Sequence, residues 1–306
     1  MTMTDVVTRF LDGAIHAFDF PDGAVADSVA VFELPTGVEP DGHDVAPDLG
    51  RAVYATGDEV VCVDRAGKAL WRWGFGPGSA RRAASAANCR FSADGTEVWL
   101  YLPDAMAGRG PDRWVVLSAA TGDLTAAAEL ACAGHGGSQF AHPDGVHVLL
   151  DVGEGQDGSQ VYRGRLVPDG LDVAAYPWSD RSLVDLAPDG GHFMTVHHEQ
   201  EDVAFHTHPD GEVVVRVPVE SFGHDPEEVY VEWAGGYLDA DTAIVVLGGE
   251  TEDEEEWHLH HLVDVRTGEV RGTLDTPSRD AYDVEPRGDG SWLSTDDDGR
   301  PRRHTR

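Results

Sequence analysis

One short pattern recurs along this chain and limits what it can fold into. Its clearest copy is Phe91-Ser92-Ala93-Asp94-Gly95-Thr96-Glu97-Val98-Trp99. An apolar residue ends one extended run, Ala93-Asp94-Gly95 supplies turn chemistry, and a run of strand formers follows. Further copies are centred on Asp48, Asp144, Asp189, Asp241 and Asp289. Taken in order, these aspartates are 46, 50, 45, 52 and 48 residues apart. Each copy except the last is followed by another turn and another strand, as at Asp64-Arg65-Ala66-Gly67 and Arg266-Thr267-Gly268-Glu269.

A period of about 40–50 residues carrying several short strands is a propeller period, each unit being one four-stranded blade. The pieces Phe91-Ser92-Ala93-Asp94-Gly95-Thr96-Glu97-Val98-Trp99 and Val263-Asp264-Val265-Arg266-Thr267-Gly268-Glu269-Val270 resemble the repeats of bacterial WD-repeat-like and TolB-type β-propellers. The resemblance covers nearly the whole chain and implies a fold. Propellers of this kind serve as binding scaffolds, lyases, lactonases and peptidase accessory domains alike. The Gly-His and Trp-Asp pairs of strict WD40 repeats are absent, so their hydrogen-bond network is not carried over.

The expectation is therefore all-β: a six-bladed β-propeller forming a single domain over residues 1–306. Residues 17–34 supply third and fourth strands and residues 282–294 first and second strands. Pairing these N- and C-terminal strands would close the ring and remove open sheet edges. Seven blades result instead if Phe10-Leu11-Asp12-Gly13-Ala14-Ile15 is a worn turn copy and the tail Arg300–Arg306 pairs as a third strand.

Composition narrows the function classes. The net charge of −34, with one lysine among the cations, opposes nucleic acid as a partner, because phosphate binding needs the opposite field. No stretch reads as a membrane span or a secretory leader, and the expectation is a cytoplasmic protein. Cys62, Cys89 and Cys132 are too few and too scattered for a disulfide framework or a cysteine zinc site. Gly134-His135-Gly136-Gly137-Ser138 lacks the strand–elbow–helix context of a nucleophile, and Gly74-Phe75-Gly76-Pro77-Gly78 lacks the lysine and helix of a phosphate loop. The tryptophans fall on strands, where packing between blades is their default role.

Two groups of residues remain as candidates. The innermost strands carry Asp44, Asn88, Arg90, Gln139, Asp185, Glu232 and Asp283, which would converge on the central channel. Such a carboxylate-rich set suits a hard cation such as Ca²⁺, or it is a solvated channel wall. His206 with His208, and His258 with His260, share strand faces at i and i+2, a spacing compatible with Zn²⁺. Long inserts lie at 103–113, 153–159 and 248–256, between second and third strands, and at 74–87 and 133–138, between blades. Both kinds rim one face, where binding is expected. The leading expectation is a binding module for a protein or small-molecule ligand on that face. The alternative is a metal-assisted hydrolase or lyase at the channel mouth, with Asp44, Asp185, Glu232 and Asp283 as ligands or acid–base groups.

Overall fold

The computed structural model describes residues 6–20, 27–77, 86–251 and 255–306. The Asp22-Gly23 turn, Arg81-Arg82 and the acids Glu252, Asp253 and Glu254 of the fifth repeat lie outside these. The described residues form seven antiparallel sheets, the blades of a β-propeller. They group into two compact units, 1–175 and 176–306.

The first unit holds four sheets. The first contains β1 (Val7–Leu11), β2 (Ala14–Phe18) and β3 (Ser28–Glu33), and the second β4 (Gly42–Val45), β5 (Arg51–Ala55), β6 (Glu59–Asp64) and β7 (Ala69–Gly74). The third contains β8 (Asn88–Phe91), β9 (Glu97–Leu102), β10 (Arg113–Ser118) and β11 (Leu124–Glu129), with the one-turn helix α1 (Asp104–Ala107) between β9 and β10. The fourth contains β12 (Gly136–Ala141), β13 (His147–Gly153), β14 (Ser159–Val167) and β15 (Gly170–Ala175).

The second unit holds three sheets. One is β16 (Arg181–Leu186), β17 (His192–His197), β18 (Asp202–Thr207) and β19 (Val213–Pro218). The next is β20 (Val229–Tyr237), β21 (Thr242–Glu250), β22 (Glu256–Asp264) and β23 (Val270–Leu274). The last is β24 (Glu285–Pro286), β25 (Ser291–Thr295) and β26 (Pro301–Thr305).

The blade count is thus seven, the alternative that the 10–15 turn and the 300–306 tail allow, and not the preferred six. β1 pairs with β2 through the Asp12-Gly13 turn, and β26 pairs with β25, so each terminal segment carries one strand more than the six-blade reading allotted it. The terminal strands build two separate three-stranded sheets instead of sharing one.

Middle strands read as unbroken apolar runs because both of their faces are covered. In β5, Val53 and Ala55 join a core shared with the third sheet, while Ala52 and Tyr54 join a core shared with the first. In β9, Val98, Leu100 and Leu102 face the second sheet, and Trp99 and Tyr101 the fourth. In β21, Ala243, Val245 and Leu247 pack on the preceding sheet, and Ile244 and Val246 on the following one. The period of two distributes successive side chains between two neighbours. Outer strands such as β19 are covered only in part and keep polar or exposed positions.

The recurring turn between first and second strands is held by one interaction. The aspartate Oδ1 accepts the backbone N–H two residues on, at Asp48, Asp94, Asp144, Asp189, Asp239 and Asp289, with distances of 2.8–3.0 Å. In the fifth copy this residue is Asp239 rather than Asp241. The next position takes a left-handed backbone, φ 71° at Gly95 and 69° at Gly145, which glycine adopts without strain. Leu49 holds the same place at φ 57°.

Candidate functional site

In the first unit three of the four expected axial residues, Asn88, Arg90 and Gln139, form one polar network, and Asp44 binds backbone beside it. Gln139 Oε1 accepts the Trp114 indole N–H at 2.8 Å, and its amide donates to Asn88 Oδ1 at 2.9 Å. Arg90 donates to the Gln139 carbonyl at 2.8 Å. The Asp44 carboxylate accepts N–H groups of Val45 and, in the next sheet, Phe91, at 2.9 and 2.8 Å. Burial raises the Asp44 pKa above its ordinary value, although Arg90 and these two N–H groups oppose the shift.

Asp185 of the second unit repeats the arrangement of Asp44. It accepts the N–H groups of Leu186 and, from the adjacent sheet, Tyr237, at 2.8 and 2.7 Å. Gly236 makes room for it, since a Cβ there would lie 2.4 Å from Asp185 Oδ2. Burial lifts the Asp185 carboxyl to about 7. Asp283 accepts the N–H groups of Thr295 and Arg279 at 2.7 and 2.9 Å. Three of the four carboxylates singled out in the sequence therefore brace backbone.

The histidine pairs divide in a similar way. His206 is fully buried, donating from Nδ1 to the Gly211 carbonyl at 3.1 Å and accepting at Nε2 from Thr195 at 2.8 Å. Both ring nitrogens are used, and burial lowers its pKa to about 4. His208 lies beyond the end of β18. His258 and His260 do share a face, with ring centroids 5.5 Å apart and edge to face. His258 Nε2 shares a hydrogen bond with Ser278 at 2.7 Å. His260 is buried with Nε2 unpartnered among the described residues, and burial lowers its pKa to about 4.

Glu232, the fourth carboxylate, is different. It sits with Tyr230, His258 and the exposed Tyr282, whose hydroxyl donates to Glu232 Oε2 at 3.3 Å. Gly248 opens this space, because a Cβ there would come 2.5 Å from Glu232 Oε1 and 2.7 Å from the Tyr230 ring. Desolvation raises the Glu232 pKa, and the Tyr282 hydroxyl is pushed up to about 12, first by burial and then by Glu232. Glu250 and Glu256 add negative potential at Tyr230. These residues come from the start of β20, the end of β21, the start of β22 and the segment before β24. All lie at the strand ends that flank the insert 248–256, so the result is an acidic, aromatic cluster where two sheets meet.

A second concavity, of about 230 Å³, lies in the first unit between the turns of the third and fourth sheets. Asp94, Glu97 and Trp99 line one side, and His142, His147 and Leu166 another. The run His142-Pro143-Asp144-Gly145-Val146-His147 brings two imidazoles to one carboxylate. His147 Nδ1 lies 2.6 Å from Asp144 Oδ2, and His142 Nδ1 lies 3.2 Å from Oδ1. Neither histidine was among the sequence candidates. Their signal was local, two histidines flanking a turn aspartate five residues apart, and the recurrence of the turn hid it.

No protein-family model matches the chain, and no curated protein matches it. Solved structures do. The chain is similar to a Kuenenia stuttgartiensis hydrazine synthase chain, at 13% identity and TM-score 0.57, over 85% of this chain and 76% of that one. It is similar to BamB from Moraxella catarrhalis, at 12% identity and TM-score 0.51, over 100% and 95%. It is also similar to the β-propeller domain of Myceliophteria thermophila Cps50 (Swd1), at 7% identity and TM-score 0.50, over 88% and 96%. At these identities the likeness is one of fold: the resemblance to propeller superfamilies holds.

Proposed function

We propose that this propeller is a binding module whose recognition surface is the side-chain cluster around Glu232 and Tyr282, and that its ligand presents a positive charge and docks in the space between these side chains. The observation that carries this reading is a partly desolvated carboxylate beside an exposed aromatic ring, with no arginine or lysine in an ion pair with it among the described residues. Other well-covered acids of the chain have such partners, as Asp104 has Arg109 and Arg113 and Asp202 has Arg181. A guanidinium or ammonium entering the cluster would meet Glu232 and the ring faces of Tyr230 and Tyr282, combining a charge-assisted hydrogen bond with cation–π attraction. The net charge of −34 would speed its approach.

The hydrolase or lyase alternative is weaker, because Asp44, Asp185 and Asp283 spend their carboxylate oxygens on backbone N–H groups. The test uses an acetylated Gly-Arg-Gly-Arg-Gly peptide and its Gly-Glu counterpart, followed by fluorescence anisotropy. The basic peptide should bind saturably and more weakly as salt rises, and the acidic one should not bind. Glu232→Gln should weaken binding about tenfold, the worth of one charge-assisted hydrogen bond. No saturable binding, or binding indifferent to both Glu232→Gln and Tyr282→Ala, overturns the reading.

A further inference from the structure

The turn His142–His147 carries more than its conformation requires. In every copy of the turn, Oδ1 of the aspartate closes the loop onto the N–H two residues on. The flanking positions are otherwise Ala46 and Arg51, Ser92 and Glu97, Ala187 and His192, Tyr237 and Thr242, or Arg287 and Trp292, so the turn forms without a pair of histidines. At Asp144 the loop is closed as usual, by Val146 N–H at 2.8 Å and His147 N–H at 2.9 Å, both to Oδ1. Oδ2 is left facing the His147 ring.

Each side chain is already positioned. His142 is buried, 5% exposed, and its Nδ1 accepts the Asp144 N–H at 3.2 Å, which makes that nitrogen the unprotonated one; a metal would take its lone pair in place of this long hydrogen bond. The two rings stand edge to face, 88° apart, with centroids 6.2 Å apart. One ligating atom from each of His142, Asp144 and His147 lies within 4.8 Å of the others. The two imidazoles approach different oxygens of the same carboxylate, His142 Nδ1 at 3.2 Å from Oδ1 and His147 Nδ1 at 2.6 Å from Oδ2, so the three side chains converge on one small volume.

We infer that His142, Asp144 and His147 form a binding site for a divalent transition metal, with Zn²⁺ the best match to two imidazole nitrogens and one carboxylate oxygen. Asp94 and Glu97, across the adjoining cleft, add negative potential for a dication. This site is independent of the Glu232 cluster.

The test uses the untagged full chain, stripped with chelator and dialysed. Zn²⁺ is titrated by calorimetry, and Co²⁺ by visible absorption as a reporter of tetrahedral N/O coordination. Asp144→Asn keeps an Oδ1 to close the turn while removing the charge, and His147→Gln removes one ligand at the strand edge. One equivalent of Zn²⁺ should bind the parent chain, with a rise in melting temperature. Each variant should weaken it on the order of 100-fold while melting as the metal-free parent does. A third variant, His224→Gln with His258→Gln, should bind as the parent does. No saturable binding, binding unchanged in both Asp144→Asn and His147→Gln, or binding lost only in the His224/His258 variant would each overturn the assignment.

Discussion

The packing of one sheet against the next makes a sharp prediction at Gly164. This residue lies in β14, opposite Val148 and Val173, and the Trp114 indole of the neighbouring sheet covers it. A Cβ at Gly164 would stand 2.5 Å from Trp114 Cζ3 and 2.7 Å from Cη2. The indole has nowhere to retreat. It is fully buried, packs edge-on against Trp99 at 5.2 Å and donates its N–H to Gln139. Gly164→Ala therefore overpacks the interface, at about 1–3 kcal/mol, and displaces the indole from Gln139, at about 1–3 kcal/mol more. Alanine recovers about 0.5–1 kcal/mol of backbone entropy. The net loss is about 2–4 kcal/mol. At about 2.1 cal/mol/K per residue, that lowers the melting temperature by about 3–6 °C if all 306 residues melt together. If the 175-residue unit melts alone, the drop is about 5–11 °C. Calorimetry and urea unfolding measure both quantities. In a Trp114→Phe background the larger ring is gone, so Gly164→Ala should be neutral or slightly stabilising, giving a coupling of about 2–4 kcal/mol. An equal cost in both backgrounds would refute steric contact as the cause.

Asp185, lifted by burial to about 7, holds its proton in the folded chain through a range where the unfolded chain has lost it. Its contribution is present at low pH and lost as pH rises toward 7, by about 4 kcal/mol in all. Asp185→Asn should therefore gain on the parent between pH 4 and 8 in urea unfolding, and a constant difference across that range would sink the reasoning. Arg181 is 2% exposed and donates to Thr195 at 2.7 Å and to Asp202 at 2.5 Å. Arg181→Met strands the Asp202 charge, with Arg216 at 3.5 Å as its remaining partner, and should cost about 3 kcal/mol in the same assay. A loss below about 1 kcal/mol would mean that water or Arg216 already screens that carboxylate.

The inner architecture was legible because local chemistry and packing agree in the middle strands. Val98–Leu102 and Ala243–Leu247 are apolar at every position only because each sheet is covered on both faces. The edges were harder to read. Pro301–Thr305 has no apolar pattern, and its strand state comes from backbone pairing with β25, which no local propensity encodes. The sequence picks out the inner-strand polar residues, but not which backbone groups they bind. That Asp44 and Asp185 each accept an N–H from the adjacent sheet depends on where residues 47 and 52 positions away place their backbones.

The same distinction separates structural acids from functional ones in a chain with 56 of them. Six aspartates close first-to-second strand turns, and Asp64 and Asp264 close third-to-fourth strand turns by the same contact to the N–H two residues on. Asp44 and Asp185 brace inner strands, Asp283, ahead of β24, holds the N–H groups of Arg279 and Thr295, and Asp112 collects the Tyr101 hydroxyl and the N–H groups of Ala105 and Gly134. Acidity alone therefore marks no surface, since much of it is backbone chemistry performed by side chains. Glu250 and Glu256 hold no hydrogen bond or ion pair through their carboxylates among the described residues, and Glu232 has only the Tyr282 hydroxyl. All three lie at the cluster. Removing a turn aspartate should then lower stability and leave binding of the basic peptide intact, whereas Glu232→Gln should do the reverse, and that crossed pattern is what a recognition surface requires of its acids.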